Sequence, residues 1–438
     1  MPSLPPTIAC AALLTCLTLP AGFSQTASFE RPPIDYLNAE VHDDVAALAE
    51  KIAAGEVELE YDPEHGYLPA VLAALNVPVS SQTLVFSKTS LQLHRISPAR
   101  PRALYFNDNV YIGFCQRGDV LELAVTDPQQ GAIFYTLKQA PTEQPKFVRD
   151  RGQCLTCHAS SRTQNIPGYL IRSVVSDPGG QPMLGSGTFT TDHTSPLEER
   201  WGGWYVTGTH GSMRHMGNAT CREDAELDVE SGANLQSLDK LVSTAPYLSP
   251  HSDLVALMVL GHQTQVHNAI AAANFETREA LHQSYTMNAL LDRAPNHVSE
   301  SAQRRIQKVA ERVVNYLLMC DEYPLESPVA GTSRFAEEFV ARGSRDSQHR
   351  SLRELDLETR LFKYPCSFLI YSDAFQTLPA QVHGKILERL HEVLEGRDES
   401  PEFAHLSTSL RREILDILQA THPAFKTATP TPDSALNE

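Results

Sequence analysis

Ala103-Leu104-Tyr105-Phe106-Asn107-Asp108-Asn109-Val110-Tyr111-Ile112-Gly113-Phe114 holds two short apolar runs separated by a polar triplet. Aromatic and β-branched residues favour a pleated, half-buried backbone, while Asn and Asp favour a tight turn. The stretch therefore predicts two strands, Ala103–Phe106 and Val110–Phe114, joined as a hairpin. Further strands are expected at Thr83–Ser87, Ser90–Ile96, Val120–Val125 and Ala132–Leu137, with turn signals at Arg117-Gly118-Asp119 and Asp127-Pro128. Short strands on tight turns imply an antiparallel sheet. Before it, Val45, Leu48 and Ile52 at helical spacing predict a helix over 43–54, and a second short one is expected near 67–76.

Beyond residue 249 the periodicity becomes helical. Helices are expected over 252–275, 276–292, 299–320, 332–342, 349–360, 380–395 and 401–420, with breaks at Pro295, Pro324, Pro328 and Pro379. The fold class is α+β. Its parts are an N-terminal antiparallel-sheet region (25–140), a loop-rich segment (141–245), a helical region (246–425) and a tail (426–438) expected to be disordered. A strand is expected over Trp201–Thr209 in the loop-rich segment, which contains both tryptophans, Trp201 and Trp204.

The chemistry lies in that middle segment. Cys154-Leu155-Thr156-Cys157-His158 spells C-x-x-C-H, the attachment signature of c-type haem. Two thiols one helical turn apart suit thioethers to the two haem vinyl groups. The histidine that follows is positioned to be the proximal iron ligand. A redox dithiol and half of a zinc site are the alternatives. No second C-x-x-C is present, and no βαβ pattern surrounds residue 154. One haem c with its iron is thus expected per chain, held by Cys154 and Cys157.

For the second axial ligand the candidates are His215, then Met216, then His262. The first two lie in the cluster Thr209-His210-Gly211-Ser212-Met213-Arg214-His215-Met216-Gly217-Asn218, 57 and 58 residues beyond His158. His262 sits on a stripe formed by Val255, Met258, Val259, Val266, Ala269 and Ile270, which aims it at the core. A hydrogen-bonded core histidine is the competing reading for it. His193 is expected to cap a loop, with Asp192 beside it as a candidate acid or base.

Residues 7–20 form an apolar stretch too short to span a bilayer, followed by the small residues of Gly22-Phe23-Ser24. This predicts a signal peptide over 1–24 and a periplasmic or secreted protein with no transmembrane segment. No Lys or Arg precedes the stretch, and Leu13-Leu14-Thr15-Cys16 is a poor lipoprotein box. Cys115, Cys221, Cys320 and Cys366 are left as two disulfides or as buried free thiols, the latter favoured by their scatter. The formal charge of −17 argues against nucleic acid as a partner and for a basic redox protein. Lys146, Arg149, Arg151, Arg162 and Arg172 form a local basic excess, suited to haem propionates or to steering an anionic substrate.

Several blocks carry a resemblance. They are Tyr61-Asp62 with Gly66-Tyr67-Leu68, Leu84-Val85-Phe86-Ser87-Lys88-Thr89-Ser90, and Pro101-Arg102-Ala103-Leu104-Tyr105-Phe106-Asn107-Asp108. After the C-x-x-C-H motif come Glu199-Arg200-Trp201-Gly202-Gly203-Trp204-Tyr205 and His215-Met216-Gly217-Asn218. Over most of its length the chain resembles a group of secreted, single-haem, cytochrome c-like bacterial proteins. The resemblance implies haem binding, electron transfer and export, and assigns no substrate. Electron transfer through a closed, six-coordinate iron is the first expectation. The alternative is a haem enzyme of peroxidase or oxidase type with an open or weakly held sixth position, since a carrier needs far less chain. A haem-based sensor ranks third.

Overall fold

Asn107 closes the predicted hairpin: its Oδ1 accepts the N–H groups of Asn109 and Val110 at 3.0 and 2.8 Å. The structure, a computed structural model, describes residues 28–222 and 225–426. The expected signal peptide and all but Lys426 of the expected tail lie outside these residues. Helices α1 (Asp44–Ala53) and α2 (Leu68–Ala74) lead into strands β1 (Thr83–Val85), β2 (Arg102–Phe106), β3 (Val110–Phe114), β4 (Val120–Asp127), β5 (Gly131–Lys138) and β6 (Phe147–Arg149). A one-turn helix α3 (Leu155–His158) follows, then β7 (Arg172–Val174), β8 (Thr188–Thr190) and β9 (Trp204–Tyr205). The C-terminal half contributes α4 (Leu254–Leu290), α5 (Glu300–Leu317), α6 (Phe335–Ala341), α7 (Asp373–Gln376), α8 (Ala380–Leu394) and α9 (Thr408–Thr421). The architecture is α+β, with an antiparallel sheet first and helices after it.

The large sheet runs β6-β5-β4-β3-β2-β1-β9, antiparallel throughout, and β7 pairs with β8 in a separate ribbon. Directly opposed residues share a face. Register therefore puts Val85, Trp204, Arg102, Leu104, Gly113, Glu122, Ala124, Phe134 and Thr136 on one face. The opposite face carries Ala103, Tyr105, Ile112, Leu121, Leu123, Val125 and Leu137, all buried. On β4 burial alternates from Val120 to Val125, and Val120, Glu122 and Ala124 stay partly open. The second face is plain core. The first has a space in front of it. Helix α1 closes the core side, where its capping Asp43 accepts a hydrogen bond from Tyr135.

Helix α4 is one element of 37 residues, where two helices were expected. No Pro or Gly interrupts 275–277, and Thr277 stays buried within the helix rather than capping a new one. From Leu254 to Phe275 it is buried on all sides, and the stripe through His262 is one part of a wholly enclosed surface. Its polar residues bond outward: Gln263 to the Asn107 carbonyl at 2.9 Å, His267 to that of Asp108 at 2.8 Å.

Three other expectations change. Ser90–Ile96 is not a strand but ends in a 3-10 turn at Leu93–Arg95, because Gln92 is turned to bond the backbone of Asp119 and Val120. Of Trp201–Thr209 only Trp204–Tyr205 joins the sheet; Trp201 has φ of 62°, which breaks extension. Residues 349–360 form turns. There Asp356 Oδ1 accepts the N–H groups of Glu358 and Thr359, a local bond that competes with helix. One apolar cluster takes in side chains from Phe29 through the sheet to Phe425.

Asp253 ties the start of α4 to the loop that precedes α6. Its Oδ1 caps α4 at Val255 and Ala256, and its Oδ2 accepts the N–H groups of Thr332 and Ser333 at 2.8 Å. Asp253→Ala is expected to destabilise the protein by about 2–4 kcal/mol, since a cap and buried donors lose their acceptor together. Urea unfolding measures this; a loss below about 0.5 kcal/mol would contradict the assignment.

Candidate functional site

Asp150, just after β6, starts the site. Its Oδ2 accepts the N–H groups of Gly152 (3.0 Å) and Cys154 (2.9 Å), which bends the chain into α3. The N–H groups of Cys157 and His158 bond the Cys154 carbonyl, so both thiols and the imidazole share one turn. Cys154 is half-buried and Cys157 exposed.

The chain then loops back. The Gly168 N–H bonds the His158 carbonyl at 2.8 Å, and His158 Nδ1 lies 2.9 Å from the Gly168 carbonyl. A carbonyl only accepts, so Nδ1 carries the proton and Nε2 keeps its lone pair. Nε2 has no hydrogen-bond partner among the described residues. Burial pushes the imidazole pKa down, toward the neutral form that binds metals. Phe134 of β5 packs on the ring at 4.9 Å between centroids. The returning loop is clamped from α4. Asn268 Oδ1 accepts the Tyr169 N–H (2.7 Å), and its Nδ2 donates to the Tyr169 carbonyl (2.8 Å). A side chain on Gly168 would collide with that Asn268 amide, so only glycine lets the loop approach.

Cys154, Cys157 and His158 all open on one cavity whose floor is the first face of the sheet. The cavity itself is about 250 Å³ and opens to solvent at its mouth. Val85, Leu104, Phe134, Leu170, Ile171 and Trp204 make its walls mainly apolar. The charged exceptions on the floor are Arg102 and Glu122, paired at 2.8 Å with both side chains largely buried. Two buried polar atoms on this wall, Arg102 Nε and Ser90 Oγ, have no hydrogen-bond partner. Two thiols, an imidazole with a free Nε2, apolar walls and unpaired polar atoms together suit a covalently attached porphyrin.

The three distal candidates do not line this cavity. His215 packs against His210 (4.7 Å) and Trp201 (5.4 Å), and its Nδ1 accepts the Gly217 N–H. Burial pushes its pKa down to about 3. Met216 lies in a small apolar cluster with Val175 and Cys221. His262 has both nitrogens engaged, Nδ1 with His193 Nδ1 (3.1 Å) and Nε2 with Ser367 Oγ (2.8 Å). His193 is buried, and the loop cap expected of it is supplied by Asp192, whose Oδ1 accepts the Thr194 N–H.

Of the five basic residues near the motif, Arg172 alone lines the cavity. Arg149 and Arg151 donate to the carbonyls of Tyr36, Leu37 and Ala39. Cys115, Cys221, Cys320 and Cys366 are buried free thiols. Sequence reasoning passed over Arg102, Glu122 and Asn268. A usable signal existed for the first two, as a charge inside each of two otherwise apolar strands.

Comparison with protein-family models, with curated proteins and with solved structures finds no match to this chain. No helix among the described residues is long and apolar enough to cross a membrane.

The Cys154 thiol pKa is pushed up to about 12 by burial, with the Asp150 and Glu122 carboxylates adding to it. A redox dithiol needs the opposite, an activated thiolate. In the cofactor-free chain iodoacetamide is expected to label Cys157 at least about tenfold faster than Cys154, as exposure and thiolate character dictate. Peptide mass spectrometry follows both sites; faster labelling of Cys154 would restore the dithiol reading.

Proposed function

We propose that this chain is an exported c-type haem protein of the secreted, single-haem, cytochrome c-like kind. The observation that carries the reading is the convergence of Cys154, Cys157 and His158, with its free Nε2, on one mainly apolar cavity. Haem held there supplies a one-electron couple and an iron centre for small ligands. Cys154 and Cys157 hold the cofactor through their sulfurs. His158 offers Nε2, and the Gly168 carbonyl fixes its tautomer and raises its basicity. Asn268 keeps that carbonyl in place from α4. The apolar walls exclude water and lower the local dielectric, which tunes the potential.

The cavity wall favours an open or weakly held sixth position over a closed electron carrier. Among the described lining residues His158 is the one imidazole, and there is no methionine. Electron exchange with a partner protein is compatible with either state. The net charge of −17 makes a basic partner the better match.

The test is to express the full chain in an exporting host that attaches haem. The mature protein is expected to carry one covalent haem, and its reduced form to bind CO promptly. His215→Ala, Met216→Ala and His262→Ala are expected to leave the absorption bands in place. A low-spin protein indifferent to CO, with bands lost in one of these variants, would return the carrier reading. Cys157→Ala leaves at most one thioether, so its pyridine haemochrome band should move relative to the parent.

A further inference from the structure

Tyr111 and Tyr169 both line the cavity, and both are buried. Their rings pack at 4.5 Å between centroids, but their hydroxyls differ. Tyr111 Oη accepts from Gln263 Nε2 at 2.8 Å, an amide that takes up no proton. Tyr169 Oη lies 2.7 Å from Thr126 Oγ1, and Thr126 Oγ1 lies 3.5 Å from His267 Nδ1. The far end sets the direction of these bonds. His267 Nε2 is 2.8 Å from the Asp108 carbonyl, which only accepts, so Nε2 carries the ring proton and Nδ1 keeps a lone pair. Burial pushes the His267 pKa down to about 4, which keeps the ring neutral. Thr126 therefore donates to His267 Nδ1, and Tyr169 donates to Thr126. A buried phenol is connected through one hydroxyl to a buried base.

The same tyrosine is joined to the proposed iron ligand. His158 Nδ1–H donates to the Gly168 carbonyl, and that carbonyl belongs to the peptide bond shared with Tyr169. One hydrogen bond and one peptide unit separate the imidazole from the Tyr169 backbone. An electron crosses packed and bonded atoms and needs no open channel, so burial of the phenol is no obstacle to it. What burial penalises is charge left behind without a partner. A phenol that has lost an electron is a strong acid, and its proton needs an acceptor inside the protein. His267 Nδ1 offers one to Tyr169; Tyr111 has none within reach of its hydroxyl among its described bonds.

We propose that Tyr169 is a second redox centre of this chain, which gives one electron to haem that a hydroperoxide has oxidised and passes its phenolic proton through Thr126 to His267. The inference rests on the reading of the cavity as a haem site with an open sixth position. In the step the Tyr169 O–H bond breaks and its proton joins Thr126 Oγ1. The proton that Thr126 held forms a new N–H bond at His267 Nδ1. The electron reduces the cofactor by one equivalent and leaves a neutral tyrosyl radical. Of the two electrons that a hydroperoxide takes as its O–O bond breaks, Tyr169 supplies the one that the iron does not.

The test mixes the oxidised haem-loaded protein with hydrogen peroxide, freezes it and reads electron paramagnetic resonance, with a parallel sample deuterated at tyrosine. The parent is expected to give an organic radical signal that narrows on deuteration. Tyr169→Phe keeps the ring and removes the hydroxyl, and Thr126→Val keeps the shape and breaks the relay. Each is expected to lose at least about tenfold of the signal, as removal of a proton path dictates, in protein whose haem absorption matches the parent. Tyr111→Phe is expected to keep it. Nitrogen NMR shifts of the reduced, CO-bound protein should show His267 protonated at Nε2 and free at Nδ1. A signal unchanged in Tyr169→Phe, or lost in Tyr111→Phe instead, would overturn the inference. So would a Thr126→Val signal equal to the parent's, or a His267 protonated at Nδ1. A coloured parent that gives no radical would overturn it while leaving the haem reading in place. A colourless parent would sink the haem reading and this inference with it.

Discussion

The amide of Asn268 is the contact on which the rest of the site depends. It grips the Tyr169 backbone from both sides, and Tyr169 follows the glycine whose carbonyl orients His158. A surface loop could not set a ring tautomer by itself. Here the loop is fixed to a helix buried on every side, and the rigidity of that helix passes to the imidazole. Gln263 and His267 on the same helix bond the Asn107 and Asp108 carbonyls in the same way. The buried polar residues of α4 thus place both the hairpin of the sheet and the loop behind the motif. Buried polar groups are tolerated when each has its partner, and satisfied networks specify one arrangement.

A second constraint is the difference between the two faces of the sheet. The core face is filled with Tyr, Ile, Leu and Val side chains. The other carries Arg102 laid over Gly113, with the small Ala124 beside it, and fronts a hollow. Packing to native density would normally fill such a space. The hollow, the motif and the Arg102–Glu122 pair occupy the same region, and sheet, clamp helix and loop together build its walls.

The three distal candidates lie outside the cavity for physical reasons. The apolar stripe on α4 aims His262 at the core, and it is buried there. Core histidines satisfy both ring nitrogens, and His262 meets His193 and Ser367. His215 stands 57 residues along the chain from His158. Chain separation does not fix spatial separation in a loop-rich segment, and β9 with Trp201 carries His215 into a different cluster. The expected helix over 349–360 failed because Asp side chains bonded the local backbone instead, as at Asp356.

The sequence by itself determined the α+β order, the hairpin at Asn107, most of the helices and the five-residue motif. These depend on local periodicity, turn chemistry and spacing, which act over a few residues. Only the tertiary structure decided which groups face Cys154, Cys157 and His158. Arg102, Glu122 and Phe134 reach that cavity from two interior strands and the next strand, and Asn268 supports its loop from a distant helix. Register and helix packing bring them together, and neither leaves a mark in a short window of sequence.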